Sequence, residues 1–192
     1  MSDQTLLIES INKHVELSEH DIMLLIGSAR KRRFKKGQFI IAEGAAIRKT
    51  HFILKGAVVA FFIDNNATEH LIQFAIEGWW ISDIQSYIAG KPALLNLQAI
   101  EDVELYEFSY ENMQQLHKSI PALESYFLII TQNAFATFQE RVQHNLSLSA
   151  EERYLNFKAK YPKLVLRFSQ KWIASYLGMS AEFLSKIKKR LV

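Results

Sequence analysis

The sequence has 192 residues, of which 49% are hydrophobic and 22% are charged, so we expect one large or two small ordered domains. It contains no cysteine, which excludes disulfide bonds and zinc or iron–sulfur sites with cysteine ligands. The net charge of +3 and the pI near 9.0 agree with a nucleic-acid partner. Because we find no signal peptide and no apolar run near the ~18 residues of a spanning helix, we expect a cytoplasmic protein without a membrane partner.

Two short helices are predicted at the start of the chain. Leu6, Leu7 and Ile11 recur at helical spacing within residues 5–13. Ser18 and Asp21 have the spacing of a capping box, which predicts that a second helix begins there. Residues 30–36 then form the densest basic run, RKRRFKK, which we interpret as a solvated strand or turn face in preference to a nucleic-acid site.

Residues 34–108 consist of short segments rich in β-branched and aromatic residues. Strands are predicted within residues 39–41, 51–54, 57–63, 70–76 and 103–108, separated by glycines or by a polar turn at 64–67. Many short strands with regular turns are typical of an antiparallel β-barrel or jelly roll. With the helices on either side, they predict an α+β fold.

A long helix is predicted from Pro121, since proline is well tolerated at the first helical position. Its apolar face recurs every three or four residues over about six turns. The residues of this face are Leu123, Phe127, Ile130, Ala134 and Phe138. Such a face either packs against the chain's own barrel or pairs with a second copy of the same helix.

Ser149 and Glu152 form a second capping-box pair, so a helix should cover residues 150–160 and end at Pro162. We interpret residues 164–168 as a strand. Residues 169–191 then have the pattern of two short helices joined by a tight turn, with Ser169 and Ser180 as N-caps and Gly178 in the turn. The predicted buried residues of the second helix are Phe183, Leu184, Ile187 and Leu191.

The opposite face of this second helix is polar and mostly cationic. It carries Glu182, Ser185, Lys186, Lys189 and Arg190. A plain helical hairpin with a solvated face would show a similar pattern. The local excess of cations favours a polyanionic partner, and therefore a helix-turn-helix whose second helix enters the major groove of DNA.

Two parts of the chain resemble the Crp/Fnr family of bacterial transcription regulators. Residues 169–187 fit the pattern x-Gln-x-x-Ile-Ala-x-x-Leu-Gly-x-Ser-x-Glu-x-Leu-Ser-x-Ile, which resembles the DNA-binding end of that family. The segments KKGQFIIAEG and HFILKGAV resemble its cyclic-nucleotide-binding domain, with turn glycines at Gly37, Gly44 and Gly56.

The resemblance implies a sensor domain at residues 1–120, a dimerisation helix at 121–146 and a helix-turn-helix domain at 147–192. Many members carry a β-hairpin wing after the second helix. The sequence ends at Val192, so we expect no trailing wing.

The resemblance also implies sequence-specific binding of double-stranded DNA by a homodimer at a near-palindromic site, with RNA polymerase as a further partner. A two-fold dimer would place two recognition helices one DNA turn apart. By resemblance, the base-reading residues are Ala181, Glu182, Ser185 and Lys186. The phosphate-contacting residues are Ser169, Gln170, Lys171, Ser180 and Lys189.

The sensor pocket departs from the family pattern. Where members have Gly-Glu, residues 79–83 read WWISD, so Asp83 stands in for the glutamate. No arginine lies between Arg48 and Arg141, so the arginine that holds the cyclic phosphate has no counterpart. We therefore expect no usual binding of cyclic AMP, and no other cofactor or metal. Residues that either line a pocket for an unknown small-molecule effector or fill the core are Trp80, Ser82, Asp83, Lys91, Leu94 and Leu95.

Two other classes of protein compete with a DNA-binding regulator. One is a small-ligand sensor module that acts on a protein partner without specific DNA binding, and the basic second helix argues against it. The other is an enzyme. The sequence has no Gly-x-Ser-x-Gly, no phosphate loop, no metal-binding histidine pair and no cysteine nucleophile, so we expect no enzymatic activity.

Overall fold

The computed structural model describes residues 3–191 of the chain. These residues form two compact units, one made of residues 3–62 and 72–131 and the other of residues 63–71 and 132–191. The expectation that no wing follows at Val192 lies outside the described residues. Within residues 3–191, no helix is both long enough and apolar enough to span a membrane.

Eight β-strands of the described chain form two four-stranded sheets with the orders β1-β8-β3-β6 and β2-β7-β4-β5. The strands are β1 (Arg30–Phe34), β2 (Phe39–Ile41), β3 (Lys49–Lys55), β4 (Val58–Ile63), β5 (Glu69–Ala75), β6 (Trp80–Ile81), β7 (Asn96–Ala99) and β8 (Val103–Ser109). β8 pairs antiparallel with β1 and β3, and β7 pairs antiparallel with β2 and β4. The sheets form an open, jelly-roll-like sandwich rather than a closed barrel. The predicted fold class is confirmed.

The five strands predicted between residues 39 and 108 are present as β2, β3, β4, β5 and β8. The first five residues of the basic run at 30–36 form β1, which agrees with its interpretation as the face of a strand. Lys31 pairs with Glu104 at 2.6 Å, and Lys35 pairs with Asp102 at 2.7 Å. These basic side chains therefore have carboxylate partners within the first unit.

Alternation along β3 assigns its side chains to two cores. Ile53 packs between the sheets, whereas Phe52 and Leu54 face a layer of helices. That layer consists of α1 (Asp3–Asn12), α2 (Glu19–Ser28), α4 (Tyr110–Ser119) and the start of α5 (Pro121–Ser147). The predicted capping box opens α2, because the Ser18 hydroxyl accepts a bond from the Asp21 N–H at 3.1 Å.

The second unit contains α6 (Ala150–Lys160), α7 (Pro162–Arg167), α8 (Gln170–Tyr176) and α9 (Ala181–Arg190), together with residues 132–147 of α5. The capping box of Ser149 and Glu152 is confirmed at the start of α6. The strand predicted at residues 164–168 is wrong, because these residues form most of α7. Pro162 lies in its first turn, and a short apolar run does not by itself distinguish a strand from a helix.

Residues 63–71 pack on α8 within this unit. The Ser175 hydroxyl accepts a bond from the Leu71 N–H at 2.8 Å and donates one to the Glu69 carbonyl at 3.1 Å. Lys171 also pairs with the Glu69 carboxylate at 2.6 Å. The first helix of the helix-turn-helix is thus anchored by both backbone and side-chain bonds.

Candidate DNA-binding surface and sensor turn

The helix-turn-helix is built from the local signals that the sequence carries. The Ser169 hydroxyl accepts a bond from the Trp172 N–H at 3.4 Å, and the Ser180 hydroxyl accepts one from the Phe183 N–H at 3.2 Å. Gly178 between the helices has a φ of +66°, a left-handed conformation that glycine adopts without strain. Both predicted N-caps and the predicted turn are therefore confirmed.

The buried face of α9 is narrower than predicted. Leu184 and Ile187 are buried, but Phe183 is 46% exposed and Leu191 is 40% exposed. At 100° per residue, Phe183 lies at the edge of the face that Leu184 and Ile187 form, and Leu191 lies beyond the end of the helix. The prediction that Phe183 and Leu191 are buried is wrong.

The outer face of α9 carries the predicted base-reading residues. Glu182 and Lys186 are exposed in the first turns, and Ala181 and Ser185 are half-buried beside them. Lys188, Lys189 and Arg190 follow in the last turn, where cations also interact favourably with the helix dipole. Backbone hydrogen bonding and the Ser180 side chain lower the pKa of Glu182, so its carboxylate is an acceptor at neutral pH.

The residues predicted to contact phosphates differ in their surroundings. Gln170 donates through Nε2 to the Ala181 carbonyl at 2.8 Å and so links α8 to α9. Lys171 is held by its ion pair with Glu69. Ser169 and Ser180 each use a lone pair in capping. The Ser180 hydroxyl also interacts with the Glu182 carboxylate, whereas the Ser169 proton can donate to another group. Lys189 is exposed.

In the first unit, Asp83 caps the short helix α3 (Ile84–Ala89) and is only 4% exposed. Its Oδ2 accepts bonds from the backbone N–H groups of Leu94 at 2.6 Å and Leu95 at 3.0 Å, and from the Ser86 hydroxyl at 2.9 Å. Its Oδ1 accepts from the Ser86 N–H at 3.2 Å. We call Asp83, Ser86, Leu94 and Leu95 the sensor turn. The Asp83 carboxylate therefore already accepts from the backbone N–H groups of this turn.

The other predicted pocket residues do not converge on this turn. Trp80 packs among the helices, with its indole N–H donating to the Tyr126 hydroxyl at 3.0 Å and its ring against Phe52 and Phe127. It packs against the core of the helical layer and not between the two sheets. Ser82 is half-buried, Lys91 is exposed, Leu94 is 50% exposed and Leu95 packs partly against the core between the sheets.

Arg48 is a residue that the sequence did not indicate for this region. It donates through Nε to the Tyr87 carbonyl at 2.6 Å and through Nη2 to the Ile88 carbonyl at 2.7 Å. Its guanidinium lies 3.2 Å above the centre of the Tyr110 ring. These bonds satisfy carbonyl groups at the end of α3. α3 is therefore held by Asp83 at one end and by Arg48 at the other.

The face predicted to form a dimer divides along α5. Leu123 is fully buried in the core of its own unit, and Phe127 and Ile130 pack partly against that core. Ala134 and Phe138 are exposed. Four further residues of α5 are exposed, namely Leu128, Thr131, Phe135 and Val142.

A jelly-roll-like sandwich, a long helix and a basic helix-turn-helix occur together in this chain. The profile of the cyclic nucleotide-binding domain matches residues 31–119. Two similar proteins are the regulatory protein HlyX of Actinobacillus pleuropneumoniae and the fumarate and nitrate reduction regulatory protein of Vibrio cholerae. They are 23% and 25% identical over 91% and 84% of this chain, which correspond to 77% and 68% of their own lengths.

A solved structure of similar fold is that of the c-di-GMP responsive global regulator CLP from Xanthomonas campestris. It has a TM-score of 0.72 at 17% identity, and 91% of each chain is covered. The chain is thus similar to regulators of the Crp/Fnr type in sequence and in fold.

Proposed function

We propose that the chain is a sequence-specific DNA-binding transcription regulator that binds a near-palindromic site as a homodimer. The observation that carries this proposal is the exposed cationic face of α9 on a fully capped helix-turn-helix. Four cations, Lys186, Lys188, Lys189 and Arg190, face a single carboxylate, Glu182. Neutralisation of DNA phosphates by such cations releases counterions and supplies much of the binding free energy.

The chemistry of each side chain suggests a role in the groove. The Glu182 carboxylate can accept from a cytosine amino group, and Lys186 can donate to guanine. Ala181 and Ser185 lie on the same approach, and a small apolar Ala181 suits the methyl group of thymine. Lys189, Ser169 and Ser180 are assigned to phosphates, where they would set the register without reading sequence.

The proposed dimer forms through the exposed apolar residues of α5. Leu128, Thr131, Phe135, Phe138 and Val142 follow one another at steps of three and four residues, which is the heptad spacing of a coiled coil. Leu128 and Phe135 are each 60% exposed in the single chain. A second copy of α5 would remove this apolar surface from water. Of the residues first predicted for this role, Ala134 and Phe138 lie where that partner would contact them.

We infer that the sensor does not bind cyclic AMP in the usual way, because Asp83 occupies the donors of the sensor turn. A phosphate would have to displace a buried carboxylate that already accepts four hydrogen bonds. The two anions would also repel each other. A small-molecule effector, if one acts on this regulator, binds elsewhere, and RNA polymerase is the proposed protein partner.

Fluorescence anisotropy of labelled genomic fragments, measured at several salt concentrations, tests DNA binding. If two copies of α9 each contribute two or three phosphate contacts, the slope of log K against log[salt] should be about −4 to −5. A flat salt dependence, or no binding at low salt, would contradict the proposal and favour a sensor that acts on a protein partner. The variant Phe138→Glu should weaken both dimerisation and DNA affinity, whereas Lys13→Glu, an exposed change outside α5, should leave dimerisation intact.

A further inference from the structure

The second unit contains a cavity of about 520 Å³ that the proposed function does not use. It is lined by side chains of the C-terminal half of α5, of α6 and of the end of α8. We call it the α5–α6 cavity. Its volume falls in the range of sites that bind small molecules, which is roughly 300–1,000 Å³.

The lining of the α5–α6 cavity is cationic. Arg141, Arg153 and Lys160 contribute positive charge, and His144 adds a further polar ring. Glu140 is the one carboxylate among the lining residues, and it is paired with Lys160. The net charge of this ion pair is zero, so the two arginines determine the positive charge of the cavity. An anion is the complementary ligand.

Arg153 supplies a donor that lacks an acceptor. Its Nη1 donates to the Leu148 carbonyl at 3.0 Å, which fixes the guanidinium at the start of α6. Its Nε is buried and has no hydrogen-bond partner among the described residues. An unsatisfied buried donor is costly, so a shift of this guanidinium that brings Nε to an anionic oxygen would stabilise both partners.

Arg141 is held rigidly on the other side. Its Nη2 donates to the Leu71 carbonyl at 3.1 Å, and its guanidinium lies 4.2 Å from the centre of the Tyr176 ring. Burial lowers the pKa of this guanidinium, an effect that Tyr176 partly offsets. A fixed cation of this kind loses little conformational entropy when it binds a ligand.

The apolar part of the lining is aromatic. The centroid of the Phe157 ring lies 5.6 Å from that of Tyr176 and 5.5 Å from that of Tyr161. These three rings supply apolar surface to the lining, and aromatic contacts add to the free energy of burial. Cationic and aromatic side chains therefore line the same cavity.

We propose that the α5–α6 cavity binds a small organic anion, in which a carboxylate or phosphate meets Arg153 and Arg141 and a planar body packs on Phe157 and Tyr176. Since α5, α6 and α8 all contribute, the ligand would fix the helices that precede and form the helix-turn-helix. An effect of the ligand on DNA affinity rests on the proposed function, whereas binding of the ligand does not.

Isothermal titration of the full chain with 1-naphthyl phosphate tests the site without DNA. We expect saturable binding with a dissociation constant of about 1 mM or tighter. Arg153→Met should weaken it by about tenfold or more, because a charged contact in a buried site is lost. Arg30→Met, at an exposed arginine of β1, is the matched control and should leave the affinity unchanged.

A second variant separates loss of the binding site from loss of folding. Thr137→Trp places a large ring at the lining of the cavity on a half-buried helical position, and should abolish binding while the circular dichroism spectrum is unchanged. Inorganic phosphate should bind more weakly than 1-naphthyl phosphate, and the uncharged 1-naphthalenemethanol should not compete. The proposal is overturned if the wild type gives no saturable heat, or if Arg153→Met and Arg30→Met bind the probe equally.

Discussion

Asp83 and Ser180 both cap the start of a short helix, but they leave opposite chemical surfaces. Asp83 is buried and accepts four hydrogen bonds, two of them from the N–H groups of Leu94 and Leu95. Ser180 is exposed and accepts one, and the helix that it caps presents lysines to water. We therefore expect the sensor turn to gain little from a further anion and α9, the proposed recognition helix, to gain much. On this proposal the fold is kept without its usual ligand.

The largest effect is expected from breaking the sensor turn. Asp83→Ala removes the acceptor of three backbone N–H groups and of the Ser86 hydroxyl, and should lower the free energy of unfolding by about 2–4 kcal/mol. Urea denaturation followed by tryptophan fluorescence measures this loss.

Asp102→Ala is the matched control for Asp83→Ala, since this carboxylate is exposed and pairs with Lys35 at the surface. It should cost no more than about 1 kcal/mol. Equal losses in the two variants, or saturable binding of cyclic AMP by the wild type in calorimetry, would show that the turn is not closed by Asp83.

A second buried carboxylate gives the first unit a dependence on pH. His51 at 3.7 Å and Lys49 at 2.8 Å lower the pKa of Glu107 from 4.5 to about 2. The folded state thus favours the ionised form. This contribution is complete above the unfolded pKa and is lost as the pH falls through the folded pKa.

Thermal unfolding of the wild type should therefore lose up to about 3 kcal/mol of stability between about pH 5 and pH 2 through Glu107. Glu107→Gln should remove this part of the pH dependence. Glu16→Gln, at an exposed position, should behave as the wild type does. If both variants keep the wild-type profile, the ionised Glu107 does not stabilise the sheet.

The smallest effect is expected at the N-cap of α9. Ser180→Ala removes the acceptor of the Phe183 N–H and should cost about 1 kcal/mol. Ser180→Thr keeps that acceptor and should cost less. Hydrogen exchange at the amide of Phe183 measures the difference directly, and equal protection in the two variants would refute the capping role.

Local signals in the sequence were sufficient where the structure depends on neighbours in the chain. The capping boxes at Ser18 and Ser149, the cap at Ser180 and the turn at Gly178 are all decided within four residues. β-rich composition likewise located five strands. These features need no knowledge of tertiary packing.

The remaining features depend on contacts distant in sequence. The sequence left open whether Asp83 lines a pocket or fills the core, because its partners Leu94 and Leu95 lie eleven and twelve residues away. Arg48 reaches carbonyl groups 39 and 40 residues away, and no local pattern indicates this. The assignment of Phe183 to the buried face is wrong because helical spacing does not show where that face ends. The α5–α6 cavity likewise exists only in three dimensions.

Selection of binding sites from a pool of random duplex DNA tests the central claim most directly. The account predicts enriched sequences with two inverted half-sites whose centres lie one helical turn apart, about 10 base pairs. It also predicts that Lys186→Gln relaxes the preference at one base pair of each half-site, by about 1–3 kcal/mol of discrimination. Enrichment of single, unpaired half-sites, or no enrichment at all, would contradict a homodimer that reads DNA through α9.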